Sequence, residues 1–433
     1  MSGNYRFVVA ALLFGAGIIN YADRAALGVA APLISKDLAL SPSSLGVVFS
    51  TFFIGYAIFA FVGGQLADRY GPRRVYIWAA TGWSLLSALT GAATGFVSLL
   101  VVRALFGFAE GPMNSTTNRT ITNWFPREET ARTIGFTFSG QTVGSAIAAP
   151  VVGLLMLASS WRVAFLLTGL AGLLWVLAWR FLVTDLPQQN ARVGREEVAM
   201  VAASRAVPVV PPSDRALPLG RYLLRASTLS LGLGMFAVNY TLYIFLSWLP
   251  SYLTGALHLN LKQMSFVAAI PWACGFVGYV GGGIVADALY RRSSDRLLAR
   301  KLTTIVPLAL AAVALIAVNA AHGAAVAVTL IAAAVMLLTS SVQSCWATIH
   351  ELVPETRVGA VSGFIHLLSN ISGIIGPIVT GFAVQYLGGY NSAFVIASML
   401  ALAGVVAMSV FVRRPAGPGT QAPLRKRVST ARR

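Results

Sequence analysis

Four charged side chains stand well inside long apolar stretches, away from their ends: Asp23 and Arg24 within residues 7–31, and Arg103 and Glu110 within residues 97–119. A charge near the centre of a membrane helix costs about 2.5–3.5 kcal/mol by insertion scales, so such groups point to chemistry rather than to a solvated face. Successive residues of a helix are about 100° apart, so Asp23 and Arg24 need separate partners, whereas Arg103 and Glu110 fall on one stripe two turns apart. Arg24 offers a fixed positive charge and a planar fork that suits a carboxylate or sulfonate. Asp23 and Glu110 are carboxyls for which desolvation favours the neutral acid and a neighbouring arginine the anion. The chemistry this allows is coupling: an ionised Glu110 holds Arg24, and protonation releases Arg24 to an incoming anion. The alternative reading is an ionic network that only orients the first and fourth helices. For Asp23 both readings stand, and Arg103 suits scaffolding and proton coupling alike.

The elements that must position these groups are legible from hydropathy. Of 433 residues 57% are hydrophobic and 11% charged, with mean hydropathy +0.74. A soluble domain cannot cover so much apolar surface, but lipid accepts it. A spanning helix needs roughly 20 mainly apolar residues, and such stretches lie at 7–31, 43–66, 75–95, 97–119, 132–157, 161–182, 226–254, 264–286, 302–320, 325–347, 358–386 and 390–412. The expected fold is all-α and membrane-embedded: twelve transmembrane helices in two six-helix pseudo-repeat bundles around a central cavity. The unbroken runs lack the alternation of a transmembrane β-barrel. The first stretch is too long for a cleavable signal peptide and is expected to be retained.

The formal charge is +18, yet its distribution argues against nucleic acid as a partner. With the N-terminus in the cytoplasm, 27 of the 32 Lys and Arg fall on the N-terminus, the even-to-odd connections and the C-terminal tail. Lys36, Arg162 and Lys262 lie outside and Arg24 and Arg103 within spans. The positive-inside rule therefore places both termini in the cytoplasm. The clusters Arg291, Arg292, Arg296, Arg300, Lys301 and Arg425, Lys426, Arg427 are expected to meet anionic lipid headgroups. Cys274 and Cys345 both sit inside spans and read as small packing residues, not a disulfide or metal pair.

A polar, proline-bearing connection at 183–225, with Pro187, Pro208, Pro211, Pro212 and Pro218, divides the chain. The expected organisation is an N-terminal six-helix bundle (1–182), this cytoplasmic linker (183–225), a C-terminal six-helix bundle (226–412) and a basic cytoplasmic tail (413–433). The halves echo each other. Gly63-Gly64-Gln65-Leu66-Ala67-Asp68 recurs as Gly282-Gly283-Ile284-Val285-Ala286-Asp287, and Trp161-Arg162-Val163-Ala164-Phe165 as Tyr390-Asn391-Ser392-Ala393-Phe394. A parallel duplication of this kind places the substrate site between the halves near the bilayer midplane.

Gly64-Gln65-Leu66-Ala67-Asp68-Arg69-Tyr70-Gly71-Pro72-Arg73-Arg74 resembles the signature loop of the major facilitator superfamily. More narrowly, Asn20-Tyr21-Ala22-Asp23-Arg24 with Pro32 and Asp37-Leu38 resembles the first-span signature of its anion:cation symporter family. Tyr243, Trp248-Leu249-Pro250, Tyr252 and the run from Asn370 to Gly376-Pro377 fit the same family. The short loops point to a bacterial inner membrane, and the resemblance implies proton-coupled uptake of a small organic anion (sugar acid, short carboxylate or sulfonate) by alternating access. It also implies a monomer driven by the proton gradient, with protons and membrane lipids as further partners and no cofactor. Glycines in the loop permit close helix approach, Asp68 can cap or pair across the halves, and Arg69 and Arg73 hold the cytoplasmic side. With Gly64 and Asp287 they form the expected conformational gate.

Tyr56, Gln141 and Asn370 lie near midplane and match polar positions in the substrate pockets of similar symporters, so with Arg24 they are the expected substrate-binding set. Helix–helix hydrogen bonding, worth about 0.6 kcal/mol in a membrane, is the rival reading. Tyr240, Tyr243 and Trp346 suit either an aromatic cavity wall or packing, and His366 either a titrating or a hydrogen-bonded structural role. Gly-rich surroundings of Pro150 and Pro377 allow tight crossing and bending. An exporter of drugs or metabolites on the same fold is the alternative function. It would need an acidic anchor where Arg24 stands, and Ala149-Pro150 departs from the Gly-Pro expected of that branch. An enzyme would need a metal cluster or a nucleotide loop. His350-Glu351 has Pro354 where a second zinc-binding histidine would fall, and no phosphate-binding loop is present.

Overall fold

The computed structural model describes residues 4–206, 218–353 and 355–413, without the side chains at 61, 64, 127–128, 130–132, 205–206, 287, 350 and 355–360. The helices are α1 (Tyr5–Asp37), α2 (Pro42–Tyr70), α3 (Pro72–Thr90), α4 (Phe96–Glu110), α5 (Met113–Trp124), α6 (Arg127–Ala158), α7 (Trp161–Leu182), α8 (Arg195–Ala206), α9 (Leu219–Leu223), α10 (Ala226–Gly255), α11 (Leu261–Val267), α12 (Ala269–Arg292), α13 (Arg296–Val318), α14 (Ala324–Leu352), α15 (Glu355–Tyr386) and α16 (Tyr390–Phe411). Local chemistry sets several boundaries. Ser41 Oγ accepts from the Ser44 N–H at 3.2 Å with Pro42 in the first turn, Ser160 caps α7, and Asp295 caps α13, each serving a donor that the helix start leaves unpaired. Between α2 and α3 only Gly71 intervenes, at φ +84°, where a side chain would be strained.

Eleven apolar helical stretches among the described residues are long enough to cross a membrane. They pair α4 with α5 and α11 with α12 as single broken crossings, and α3 completes a set of twelve. α3 has 19 residues, about 28 Å at 1.5 Å per residue, enough for the hydrocarbon core. Arg73 and Arg74 in its first turn make it less apolar than the rest, while its serines are buried against neighbours: Ser84 and Ser87 are at most 2% exposed.

The duplication seen in sequence is repeated in the packing. α1 packs on α6, α2 on α4 and α3 on α7, while α10 packs on α15, α12 on α14 and α13 on α16. Between the halves, α1 meets α10, α2 meets α15, and α6 meets α11 and α12. The closest inter-half approaches lie at the face away from the termini. A Cβ on Gly28 of α1 would run into the Leu246 carbonyl of α10, one on Gly46 into the Pro377 carbonyl, and one on Gly153 into Ser265. Across the same face the Ser43 N–H donates to Gln385 at 3.0 Å, and Phe49 meets Trp248 edge-on at 5.5 Å. At the terminal face a groove of about 760 Å³ opens between α6 of the first half and α12 of the second, so the halves diverge there.

The linker departs from the expectation of bare polar chain. It carries α8, and Glu197 of α8, 2% exposed, accepts from the backbone N–H groups of Tyr5 and Arg6 at 3.0 and 2.9 Å. Arg6 in turn pairs with Glu129 at the start of α6 at 3.0 Å. Residues 207–217, with Pro208, Pro211 and Pro212, and most of the basic tail lie outside the described residues.

Candidate functional site

Glu110 is the last residue of α4, directly before the Gly111-Pro112 break that separates α4 from α5. The fourth span expected at 97–119 is thus present as one crossing, Phe96–Trp124, broken within it, because Pro112 has no N–H to continue the ladder. Close crossing of α2 over α4 rests on glycine, since a Cβ on Gly107 would meet the Phe52 carbonyl and one on Gly55 the Ala104 carbonyl. That crossing presses Glu110, which is 0% exposed, toward α1.

There Arg24 meets it. Arg24 Nε donates to Glu110 Oε1 at 2.9 Å, and Nη2 donates to the same oxygen. The other oxygen, Oε2, is buried beside the side-chain amide of Asn20. The Arg24 guanidinium is enclosed by the rings of Tyr21, Phe52 and Tyr56 at 4.7, 4.7 and 4.8 Å, a favourable arrangement for a desolvated cation. Phe52 shares its ring with Arg103, whose guanidinium lies 5.1 Å away and 4.9 Å from Phe106.

Asp23 points elsewhere, as the 100° offset requires. Its Oδ1 accepts from Ser87 Oγ of α3 at 3.1 Å, and Thr168 of α7 lies beside the pair, its hydroxyl 3.2 Å from Ser87 Oγ. Through Asp23, Ser87 thus ties α3 to a set of four buried ionisable groups carried by α1 and α4.

Beside these groups lies a cavity of about 700 Å³ between the halves, within the size range of small-molecule sites. Tyr21, Tyr56, Gln141, Tyr243, Trp346, His366 and Asn370 all line it. The structure thus brings three of the four expected binding residues to one surface. Arg24 is placed behind it, screened by Tyr21 and Tyr56. Tyr240 does not line the cavity: it is 1% exposed and packs in the core. Two polar chains organise the walls. In the first half Gln141 Nε2 donates to Asn114 Oδ1 at 3.2 Å, and Asn114 Nδ2 donates to the Tyr56 hydroxyl at 3.0 Å. In the second Tyr243 OH donates to Asn370 Oδ1 at 3.2 Å, and Asn370 Nδ2 to the His366 carbonyl at 2.9 Å. The lining carries no carboxylate, lysine or arginine among the described residues.

Sequence reasoning missed Asn114, Asn118, Asn239 and Gln343, which also line the cavity. For Asn114 a signal was present, because Gly111-Pro112 marks a break after which the helix phase restarts. No cluster of three or more metal-ligating side chains occurs among the described residues.

The gating residues fall differently. Asp68 pairs with Arg119 of α5 at 3.2 Å with both side chains exposed, so it bridges within its own half, not across the halves. Arg69 lies over Tyr70 at 5.4 Å. The Arg73 N–H donates to Asp185 at 2.8 Å, and its Nη2 to the Arg180 carbonyl at 2.6 Å, tying α3 to the end of α7. Of Gly64 and Asp287 only the backbone is among what the structure describes.

Comparison with known proteins adds a lineage to this geometry. Residues 13–365 and 289–433 match the family described as Major Facilitator Superfamily. The chain is 40% identical over 418 residues to a protein of Bacillus subtilis (strain 168) named hexuronate transporter, covering 95% of this chain and 97% of that one. It is 32% identical over 410 residues to a probable L-galactonate transporter of Escherichia coli (strain K12), covering 93% and 88%. Among solved structures it resembles a D-xylose–proton symporter, with TM-score 0.74 and 16% identity over 95% of this chain and 99% of that one.

Proposed function

The chain belongs to the major facilitator superfamily, and from that membership we propose that it imports a small organic anion of the sugar-acid class together with protons. It is a multi-pass membrane transporter rather than an enzyme. The proposed setting is a bacterial inner membrane with both termini in the cytoplasm, as the distribution of Lys and Arg supports. The terminal face is then cytoplasmic, and the form described is open inward.

The observation that carries the proposal is the Arg24–Glu110 pair sealed beside an uncharged polar cavity. Both donors that Arg24 presents on that edge are taken by one Glu110 oxygen. An anion can claim them only when Glu110 lets go, and protonation of Glu110 is the step that weakens its hold. Asn114, Gln141, Tyr56, Tyr243 and Asn370 offer donors and acceptors that suit the hydroxyls of a six-carbon sugar acid. Hexuronate and L-galactonate, named for the relatives, belong to that class. Transport proceeds by rocking of the two six-helix halves about the central site, using the proton gradient and no cofactor, in a monomer.

The test is Glu110→Gln in proteoliposomes with a hexuronate as substrate. Substrate exchange persists and proton-driven accumulation is lost; accumulation at the wild-type level would overturn the proposal.

A further inference from the structure

A second concavity, about 760 Å³, lies between the terminal-face halves of α6 and α12. Its walls are apolar side chains turned away from the core: Phe136 of α6 is 48% exposed, and Phe276, Val280 and Ile284, one stripe on α12, are 39%, 46% and 65% exposed. Gly135, Tyr279 and Gln343 line both this groove and the central cavity, so the groove backs directly onto it. From Phe276 to Ala286 the groove runs ten residues, about 15 Å along the helix, which is half the roughly 30 Å thickness of bilayer hydrocarbon. At its terminal-face end stand Arg291 and Arg300. Tyr290 orients this rim: Arg300 and Arg296 lie over its ring at 4.4 and 5.2 Å, and its hydroxyl donates to Glu351 at 3.0 Å.

An apolar trough one leaflet deep, closed by arginines at headgroup level, matches a molecule with an acyl chain and an anionic head. A hydrophilic sugar acid does not fit it, because its hydroxyls would lose their hydrogen bonds against Phe276, Val280 and Ile284. We propose that this groove binds an anionic glycerophospholipid of the cytoplasmic leaflet, its acyl chain along α12 and its phosphate at Arg291 and Arg300. The choice of leaflet rests on the orientation proposed above; the site itself does not depend on the cargo.

The site is tied to one conformation. α6 touches α11 at the far face, where Gly153 abuts Ser265, but a Cβ on Gly135 at the groove would meet nothing within 4 Å. Rocking that opens the far face brings the groove walls together. A lipid that binds only the splayed form shifts the population toward it, in proportion to its differential affinity.

The full chain, purified in detergent, is titrated with phosphatidylglycerol or phosphatidylcholine of matched acyl chains and read by native mass spectrometry and thermal unfolding. Each basic residue near an anionic surface contributes about fivefold in binding. Phosphatidylglycerol is therefore retained at least fivefold over phosphatidylcholine, and Arg291→Gln with Arg300→Gln removes the preference. Gly283→Leu, whose new side chain enters the groove next to Gln343, lowers retention of both lipids. Arg221→Gln with Arg225→Gln changes neither. Equal retention of the two lipids by the unaltered protein, an undiminished preference in the arginine double variant, or equal protection by glycerol 3-phosphate alone would each overturn the proposal. None of these readouts involves transport, so failure here is separable from failure of the sugar-acid reading.

Discussion

Gly28 offers a direct handle on the equilibrium between the two facing states. A methyl group there would press on the Leu246 carbonyl, and it would sit 3.0 Å from the Ser247 carbonyl oxygen and 3.3 Å from Ser247 Cα. These are backbone atoms, so no side-chain rotation relieves the contact. Overpacking of this kind costs typically about 1–3 kcal/mol. The penalty exists only while α1 and α10 converge at the face away from the termini, and it vanishes in a form open there. Gly28→Ala therefore raises the ratio of outward-open to inward-open molecules by about 5- to 150-fold. Spin labels at Lys36→Cys and Ala256→Cys, with Cys274 and Cys345 replaced, report that opening as a longer population in the distance distribution. Gly135→Ala is the control, because a Cβ at Gly135 meets nothing within 4 Å. A folded Gly28→Ala protein whose distribution matches the Gly135→Ala control would refute the reasoning.

Other substitutions probe the site and the scaffold. Arg24→Lys keeps the charge but loses the planar fork that gives Glu110 two bonds; a loss of about 10- to 100-fold in sugar-acid affinity is expected, and unchanged competition binding would show that Arg24 does not hold the anion. Asn114→Leu cuts the link between Tyr56 and Gln141 and raises KM about fivefold or more at equal expression, whereas an unaltered KM would make that chain structural only. Glu197→Ala strips the N-terminus of α1 of its acceptor and Arg6 of a partner, lowering stability by about 1–2 kcal/mol in thermal or denaturant unfolding. Glu197→Gln, which keeps an acceptor oxygen, falls between the two, and a neutral Glu197→Ala would show that α8 does not anchor the bundle.

Hydropathy made the crossings legible because lipid imposes one long apolar run per span, and Asp23, Arg24, Arg103 and Glu110 stood out because charge inside such a run is costly. Helical phase also foretold that Asp23 and Arg24 part company, one toward Ser87 and the other toward Glu110. What hydropathy could not reach is set by tertiary contact. Whether Arg24 lines the cavity depends on where Tyr21 and Tyr56 fold over it, and whether Asp68 pairs across the halves depends on Arg119 lying within reach in its own half. Asn114 belongs to the site because a helix break rephases α5, an effect that a window of 20 residues averages away. α8 escaped because its value lies in a single carboxylate docked some 190 residues from its partners in sequence, far beyond any periodicity.

That carboxylate also sets an order on how the molecule is made. The two backbone donors at the start of α1 belong to Tyr5 and Arg6, yet their acceptor is residue 197, 192 and 191 positions later. At about 5–20 residues per second of synthesis, α1 waits roughly 10–40 s, while five further crossings are threaded into the bilayer, before its first turn is closed. The first helix inserted is thus among the last to be finished, and its completion certifies that the whole first half has been delivered with its linker on the correct side.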